Sequence, residues 1–250
     1  MGRLDGKVAI VTGGGSGIGR SITVLFAKEG ADVVIIGRNE EALKETCKLN
    51  EKKISYVVGD ITKEENIKKL LDYVTKKFGK LDILVNNAGI SIDKSIKELN
   101  ISEYDKTFDL DVRAVVNMTI NCLPLLIKSK GNILNNSSIC STHCVAKMSM
   151  YSGAKAAINN FTRCWAIELA KDGVRVNAIA PGAIETDIWK KANSSKEQIE
   201  KCMAYIKNKI PCGRFGTSEE VANVCLFLVS DEASYVNGAI IGIDGAFGAY

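Results

Sequence analysis

Tyr151 and Lys155 stand four residues apart in Tyr-Ser-Gly-Ala-Lys, and Ser138 lies thirteen residues upstream. On a helix, positions i and i+4 share a face. A lysine ammonium one turn from a phenol favours the phenolate. A tyrosine tuned this way gives or takes a proton at a carbonyl or alcohol oxygen near neutral pH. A serine hydroxyl close by hydrogen-bonds the same oxygen. Alone, a Tyr-x-x-x-Lys pair is more often a helix face with an exposed lysine, so its meaning depends on the rest of the chain.

The N-terminal segment supplies a nucleotide signal. Residues 7–11 read Lys-Val-Ala-Ile-Val, an apolar β-branched run that suits a buried strand. It leads into Thr12-Gly13-Gly14-Gly15-Ser16-Gly17-Ile18-Gly19, and a helical apolar pattern follows at Ile18, Ile22, Leu25 and Phe26. A glycine-rich turn between strand and helix lets the backbone approach a pyrophosphate, which the helix N-terminus binds through free N–H groups and its dipole. A second strand at 32–36 ends in Gly37-Arg38-Asn39. An acidic residue there would hold the 2′-hydroxyl of NAD, whereas an arginine accommodates the 2′-phosphate of NADP. Gly37 is not acidic and Arg38 is cationic, which favours NADP(H); the competing reading is a solvated loop arginine.

With these pieces in place, the chain resembles the short-chain dehydrogenase/reductases over nearly all its length. The matching segments are Thr12 to Gly19, Gly59-Asp60, Asn86-Asn87-Ala88-Gly89, Ser138, Tyr151 with Lys155, Asn177, Pro181-Gly182 and Thr186. The resemblance implies a catalytic set of Ser138, Tyr151 and Lys155, with Asp111 beside it. It implies cofactor contacts from Gly13, Gly15, Ser16, Gly17, Ile18 and Gly19, from Arg38, and from Asp60 with Ile61 near the adenine. Asn87-Ala88-Gly89 would lie near the adenine ribose and steady the sheet. Lys155 and Tyr151 would reach the nicotinamide ribose, and Pro181, Gly182, Ile184 and Thr186 the nicotinamide and its carboxamide.

One position departs from the family pattern. Asp111, in Phe-Asp-Leu-Asp-Val-Arg, stands where the family usually has an asparagine that helps hold a water in a proton relay to the lysine. A carboxylate facing Lys155 should stabilise the ammonium, partly cancel its field at Tyr151 and raise the phenol pKa.

At 250 residues, one α/β domain spanning 1–250 is the natural reading. Alternating strand and helix patterns point to a single doubly wound parallel sheet, Rossmann-type, of about seven strands with helices on both faces. Further strands are expected at 54–59, 81–85, 132–137, 175–180 and 239–243. Helices are expected at 40–50, 64–78, 102–129, 151–171, 196–207 and 219–230, the second capped by Thr62-Lys63-Glu64-Glu65. Residues 183–212 interrupt the core pattern and form a small substrate lid in the family. Its apolar residues include Ile188 and Trp189, which with His143 are the candidate substrate contacts.

The N-terminus enters the first strand without a secretory segment, and no apolar run reads as a membrane span, so a cytoplasmic protein is expected. Eight cysteines in such a chain read as free, buried thiols rather than disulfides. Cys140, His143 and Cys144 cluster on one loop, but two or three ligands without a fourth make a poor zinc site, and no metal is expected. The net charge of +4 carries no aromatic-basic platform and gives nucleic-acid binding little support.

The C-terminal part, from Gly213-Arg214-Phe215-Gly216 to Asp244-Gly245, is similar to the 3-oxoacyl-carrier-protein reductase branch. That branch implies a homotetramer, a ketone or secondary alcohol substrate, and an acidic acyl carrier protein as partner. Lys128, Lys130 and Lys171 could form a basic entrance, interrupted by Asp172. Reduction of a 3-oxoacyl thioester is placed slightly ahead of hydroxysteroid, polyol or small-ketone chemistry. The alternative of another class is an NADP-binding sensor impaired by Asp111.

Overall fold

A computed structural model describes residues 2–186 and 196–249. β1 (Val8–Thr12), β2 (Asp32–Gly37), β3 (Ile54–Val58), β4 (Ile83–Asn86), β5 (Asn132–Asn136), β6 (Arg175–Pro181) and β7 (Ile240–Ile243) form one sheet. Its order is β3-β2-β1-β4-β5-β6-β7, and every neighbouring pair is parallel. The chain reverses direction across the sheet between β1 and β4, where a crevice opens at the strand C-termini.

The strand sequences explain why helices cover both faces. Successive side chains of a strand point to opposite sides. Ala9 and Val11 of β1, with Val33 and Ile35 of β2, enter one core with Ile22 and Phe26 of α1 (Gly17–Lys28) and Val221 and Leu226 of α8 (Ser218–Val229). Val8, Ile10, Val34 and Ile36 enter the other. There they meet Ile67, Leu70 and Val74 of α3 (Glu64–Phe78) and Ala114, Met118 and Cys122 of α5 (Ala114–Ser129). Strands buried on both sides therefore read as continuous apolar runs. The remaining helices are α2 (Glu40–Lys48), α4 (Ile101–Phe108), α6 (Ser149–Glu168) and α7 (Lys196–Lys209).

Three local expectations change. The helix expected at 102–129 is not uniform: α4 passes into a π-helical turn, Asp109–Arg113, before α5 resumes. Such turns recur at functional sites because they re-aim a side chain, and here Asp111 lies at the middle of the turn. The expected cap at Thr62 does not form. Its hydroxyl donates to Asp60 Oδ1 at 2.8 Å, and Lys63 occupies the cap of α3 without a side-chain bond. The stretch Ile101–Ser129 is, by length and composition, apolar enough to cross a membrane, contrary to the sequence expectation. It packs as a core helix, with Met118, Cys122 and Leu126 fully buried against the sheet.

The seven described cysteines are free; only Cys122, Cys140 and Cys225 are buried, while Cys144, Cys164 and Cys212 are exposed. The reading of them as buried thiols therefore holds for three, because the others fall on outward-facing or loop positions.

Candidate active site

The glycine-rich turn between β1 and α1 lines one end of a cleft of about 720 Å³. Gly13 there has φ +68°, a conformation that side chains disfavour. Gly19 is required by proximity: a Cβ on it would stand 2.3 Å from Gly13 O and 2.5 Å from Asn87 Nδ2. Of the residues expected to contact a cofactor, Gly13, Gly15, Ser16, Gly17, Ile18 and Gly19 line the cleft, as do Arg38, Asp60, Ile61, Asn87, Ala88, Gly89 and Thr186. The Ser16 hydroxyl makes no cap bond to α1. Arg38 and Asp60 share one end of the cleft. Burial pushes Asp60 up, but hydrogen bonds from Thr62 and the Arg38 charge outweigh it and hold the carboxyl below its ordinary value.

The floor of the cleft is tied to the sheet by side chains. Thr12 Oγ1 accepts from the N–H groups of Asn87 and Ala88, each at 2.9 Å. Asn87 Nδ2 donates to Thr12 O at 2.9 Å, and Asn136 Nδ2 donates to Asn87 Oδ1 at 3.0 Å. These bonds join the ends of β1, β4 and β5. Arg20, which the sequence reading passed over, donates to Gly15 O at 2.6 Å and to Thr46 Oγ1 at 3.0 Å, stiffening the glycine turn from behind. The signal available was a cation one turn into a helix that begins at an anion-binding loop.

Gly89 joins the cleft to the candidate catalytic cluster: a Cβ there would meet Asp111 Oδ2 at 2.9 Å and Lys155 Nζ at 3.2 Å. α6 carries Tyr151 and Lys155 on one face, with Lys155 Nζ 5.5 Å from the centre of the Tyr151 ring. Lys155 is 4% exposed, and its ammonium donates to Asn136 O at 3.0 Å. Asp111, fully buried, holds Oδ2 3.1 Å from the same ammonium, while its Oδ1 accepts from the Ile90 N–H at 2.8 Å. The carboxylate thus faces Lys155. Burial alone would push Lys155 down, but the charges of Asp111 and Tyr151 lift it above its ordinary value.

Tyr151 answers the balance of these fields. Burial pushes its phenol up; Lys155 and a hydrogen bond with Ser138 pull it down; Asp111 and Cys140 push it up again, and the net shift is upward. Ser138 caps the short turn Ile139–Ser141 after β5, its Oγ accepting from the Cys140 N–H at 3.2 Å. That bond occupies an acceptor site, so the hydroxyl proton is the one that serves the hydrogen bond with Tyr151.

Pro181 ends β6, and the Gly182 N–H donates to Ile243 O at 3.0 Å. Ile184 is 5% exposed, pairs with Gly216 and packs its side chain into the core. His143 stacks at a tilt on Phe247, with ring centres 5.3 Å apart. Buried Cys140 approaches Met148 Sδ at 4.0 Å while Cys144 is exposed, so the loop's three metal-type residues do not converge. Ile188 and Trp189 fall outside the described residues.

A family model described as Enoyl-(Acyl carrier protein) reductase matches residues 13–247. A curated 3-oxoacyl-[acyl-carrier-protein] reductase from Thermotoga maritima is 40% identical over 247 residues, covering 97% of this chain and 98% of that protein. A crystal structure of a short-chain dehydrogenase/reductase of unknown function from Caenorhabditis elegans, with cofactor, superposes with a TM-score of 0.93 at 37% identity. The match covers 99% of this chain and 97% of that one. The chain belongs to the short-chain dehydrogenase/reductase family. Its activity is that of the family, an oxidoreductase with a nucleotide-cofactor site. A structure of levodione reductase is similar as well, with a TM-score of 0.90 at 29% identity over 98% of this chain and 99% of that chain. The family's membership spans several carbonyl substrates, so the family alone does not name this one's.

Proposed function

We propose that this protein is an NADP(H)-dependent ketoreductase in which Tyr151 is the proton donor, and that its substrate is a 3-oxoacyl thioester. The observation that carries the reading is the adjacency of two assemblies across Gly89. One is a glycine-lined cleft with Arg38 in its wall; the other is the Ser138, Tyr151 and Lys155 cluster. The glycine turn packs tightly, a Cβ at Gly19 meeting Gly13 O and Asn87 Nδ2, and it opens on the N-terminus of α1, whose free N–H groups suit a pyrophosphate. Arg38 supports the choice of the 2′-phosphate form.

A bound nicotinamide nucleotide supplies the hydride in reduction and accepts it in oxidation. The rest of the reaction falls to the chain. Ser138 turns its hydroxyl proton from Tyr151 to the carbonyl oxygen and stabilises negative charge as it develops. Tyr151 delivers a proton to that oxygen, its raised pKa keeping the phenol protonated at neutral pH. Lys155, anchored on Asn136 O and Asp111, holds positive charge behind the phenol. In the opposite direction Tyr151 must first ionise, a step that its burial opposes, Lys155 assists and Asp111 hinders.

The thioester rests on the likeness to the Thermotoga maritima reductase. An acidic carrier as partner rests on the same likeness, and is supported by Lys130, whose side-chain carbons lie beside Gly173, two residues after Lys171. Tetramer formation through α5 and α6 is supported by Ile120 and Ile167, which are 62% and 78% exposed. Working in the cytoplasm is supported by the free thiols among the described cysteines. A second reading, nucleotide binding without turnover, rests on the same buried Asp111–Lys155 pair.

The test is NADPH consumption against an acetoacetyl thioester, several keto-steroids and small diketones, with NADH in parallel. Preferential turnover of the thioester with NADPH is expected. Turnover of a steroid or diketone alone would overturn the substrate assignment, and NADH preference would overturn the role of Arg38.

A further inference from the structure

The face of α6 that carries Tyr151 and Lys155 continues one turn further to Asn159, which is 4% exposed. The spacing 151, 155, 159 keeps all three side chains on one side of the helix. Asn159 does not turn toward the phenol or the ammonium. Its Nδ2 donates to Ser141 Oγ at 2.7 Å. Ser141 Oγ in turn donates to Ser138 O at 2.5 Å, and the Ser141 N–H reaches the same carbonyl at 3.0 Å. Because the Ser141 proton is committed to Ser138, its oxygen must accept, which fixes the Asn159 amide with nitrogen toward Ser141. The Asn159 Oδ1 is left buried without a partner, an orientation that the hydrogen-bond chain imposes at a cost.

We infer that Asn159 and Ser141 are positioning residues that brace the Ser138 turn against the helix bearing Tyr151 and Lys155. The inference rests on the proposed catalytic role of Ser138 and adds to it. Ser138 caps a turn of only three residues, Ile139–Ser141, after the end of β5. Its Oγ accepts one bond from within the turn, from the Cys140 N–H, besides the bond that it shares with Tyr151. A three-residue 3₁₀ turn has poor hydrogen-bond geometry of its own. The brace supplies the missing constraint from a long helix and sets the distance between the serine hydroxyl and the phenol, the two groups that must meet one substrate oxygen. Misplacement of about 1 Å at such a pair costs about 100-fold in rate.

The experiment uses Ser141→Ala, Ser141→Thr, Asn159→Leu and the double variant Ser141→Ala/Asn159→Leu in the full chain, with NADPH and an acetoacetyl thioester, a keto-steroid and a small diketone as probes. Both single variants that break the brace should lose about tenfold or more in kcat, with the Kd for NADPH unchanged. Ser141→Thr, which keeps the hydroxyl, should retain most of the rate. The double variant should be no worse than the poorer single one, because both remove one interaction. Amide hydrogen exchange at Cys140 and Ser141 should quicken in Asn159→Leu while the core strands stay protected. That arm needs no substrate, so it tests the brace even if the wild type reduces none of the probes, an outcome that would sink the ketoreductase reading instead. Additive losses in the double variant, unchanged kcat in both singles, or unchanged exchange at the turn would overturn the inference.

Discussion

The nucleotide cleft and the catalytic cluster meet at Gly89 but are built on opposite principles. The cleft is made by removing side chains. Its glycines bring backbone close to where a ligand must lie, and at Gly19 there is no room for a methyl group. The catalytic cluster is made by burying side chains that would each be costly alone. Lys155, Asp111, Ser138 and Asn159 are at most 6% exposed, and each is held by a polar partner. The first region fails by steric intrusion, the second by loss of a partner or of a proton.

Substitutions that strike one region and spare the other sharpen this contrast. The largest effect belongs to Tyr151→Phe, which removes only the proton. Turnover should fall by about 10²–10⁴-fold, with NADPH affinity measured by fluorescence titration unchanged. Loss of binding together with turnover would mean that the two regions are not separable. Next is Gly19→Ala, whose added Cβ meets Gly13 O. Overpacking of this kind costs about 1–3 kcal/mol, so a lower melting temperature and weaker NADPH binding are expected. Gly37→Ala is the control, because its Cβ would find Leu43 Cδ2 at an ordinary 3.5 Å. If the two variants behave alike, close backbone approach is not what the cleft requires.

Arg38→Ser should weaken NADPH by about 10- to 100-fold, the worth of a charge-assisted hydrogen bond, and leave NADH unchanged. An equal loss for both nucleotides would remove the 2′-phosphate assignment. The smallest change in rate, though informative, is expected from Asp111→Asn. Tyr151 is raised in part by the Asp111 charge. Oxidation needs the phenolate and grows as pH rises through the phenol pKa; reduction needs the phenol and declines above it. Removing the carboxylate should move both limbs to lower pH. An unmoved or upward-shifted profile would show that Lys155 loses its proton without its partner, or that Asp111 does not act on the phenol.

The two regions also differed in how much their sequences revealed. The strand, glycine turn and helix of the cleft were legible because steric need leaves few residue choices, so Thr12 to Gly19 announces itself. The sheet followed from apolar runs buried on both faces. Tyr151, Lys155 and Ser138 were legible by spacing and resemblance, and Asp111 stood out by its departure. What faced what was not legible. Nothing in residues 109–113 marks a π-helical turn, whose geometry comes from packing rather than propensity. Thr62 carried a capping pattern, yet Asp60 captured its hydroxyl first. Ile184 sat in a segment tied to the cofactor by resemblance, while its apolar side chain went to the core. Arg20 and Asn159 act through partners far along the chain, Thr46 and Ser141, and periodicity alone could only flag Asn159 as polar on a buried face.

The central claim is that this chain moves a hydride between a nicotinamide nucleotide and a ketone, and label transfer tests it most directly. NADPH carrying deuterium at both C4 positions would be incubated with the purified protein and the ketone it consumes fastest, and the product examined by NMR. The account predicts one deuterium on the carbon that bears the new hydroxyl group, in every product molecule formed. Tight NADPH binding with no consumption on any ketone, or a product without deuterium at that carbon, would contradict it.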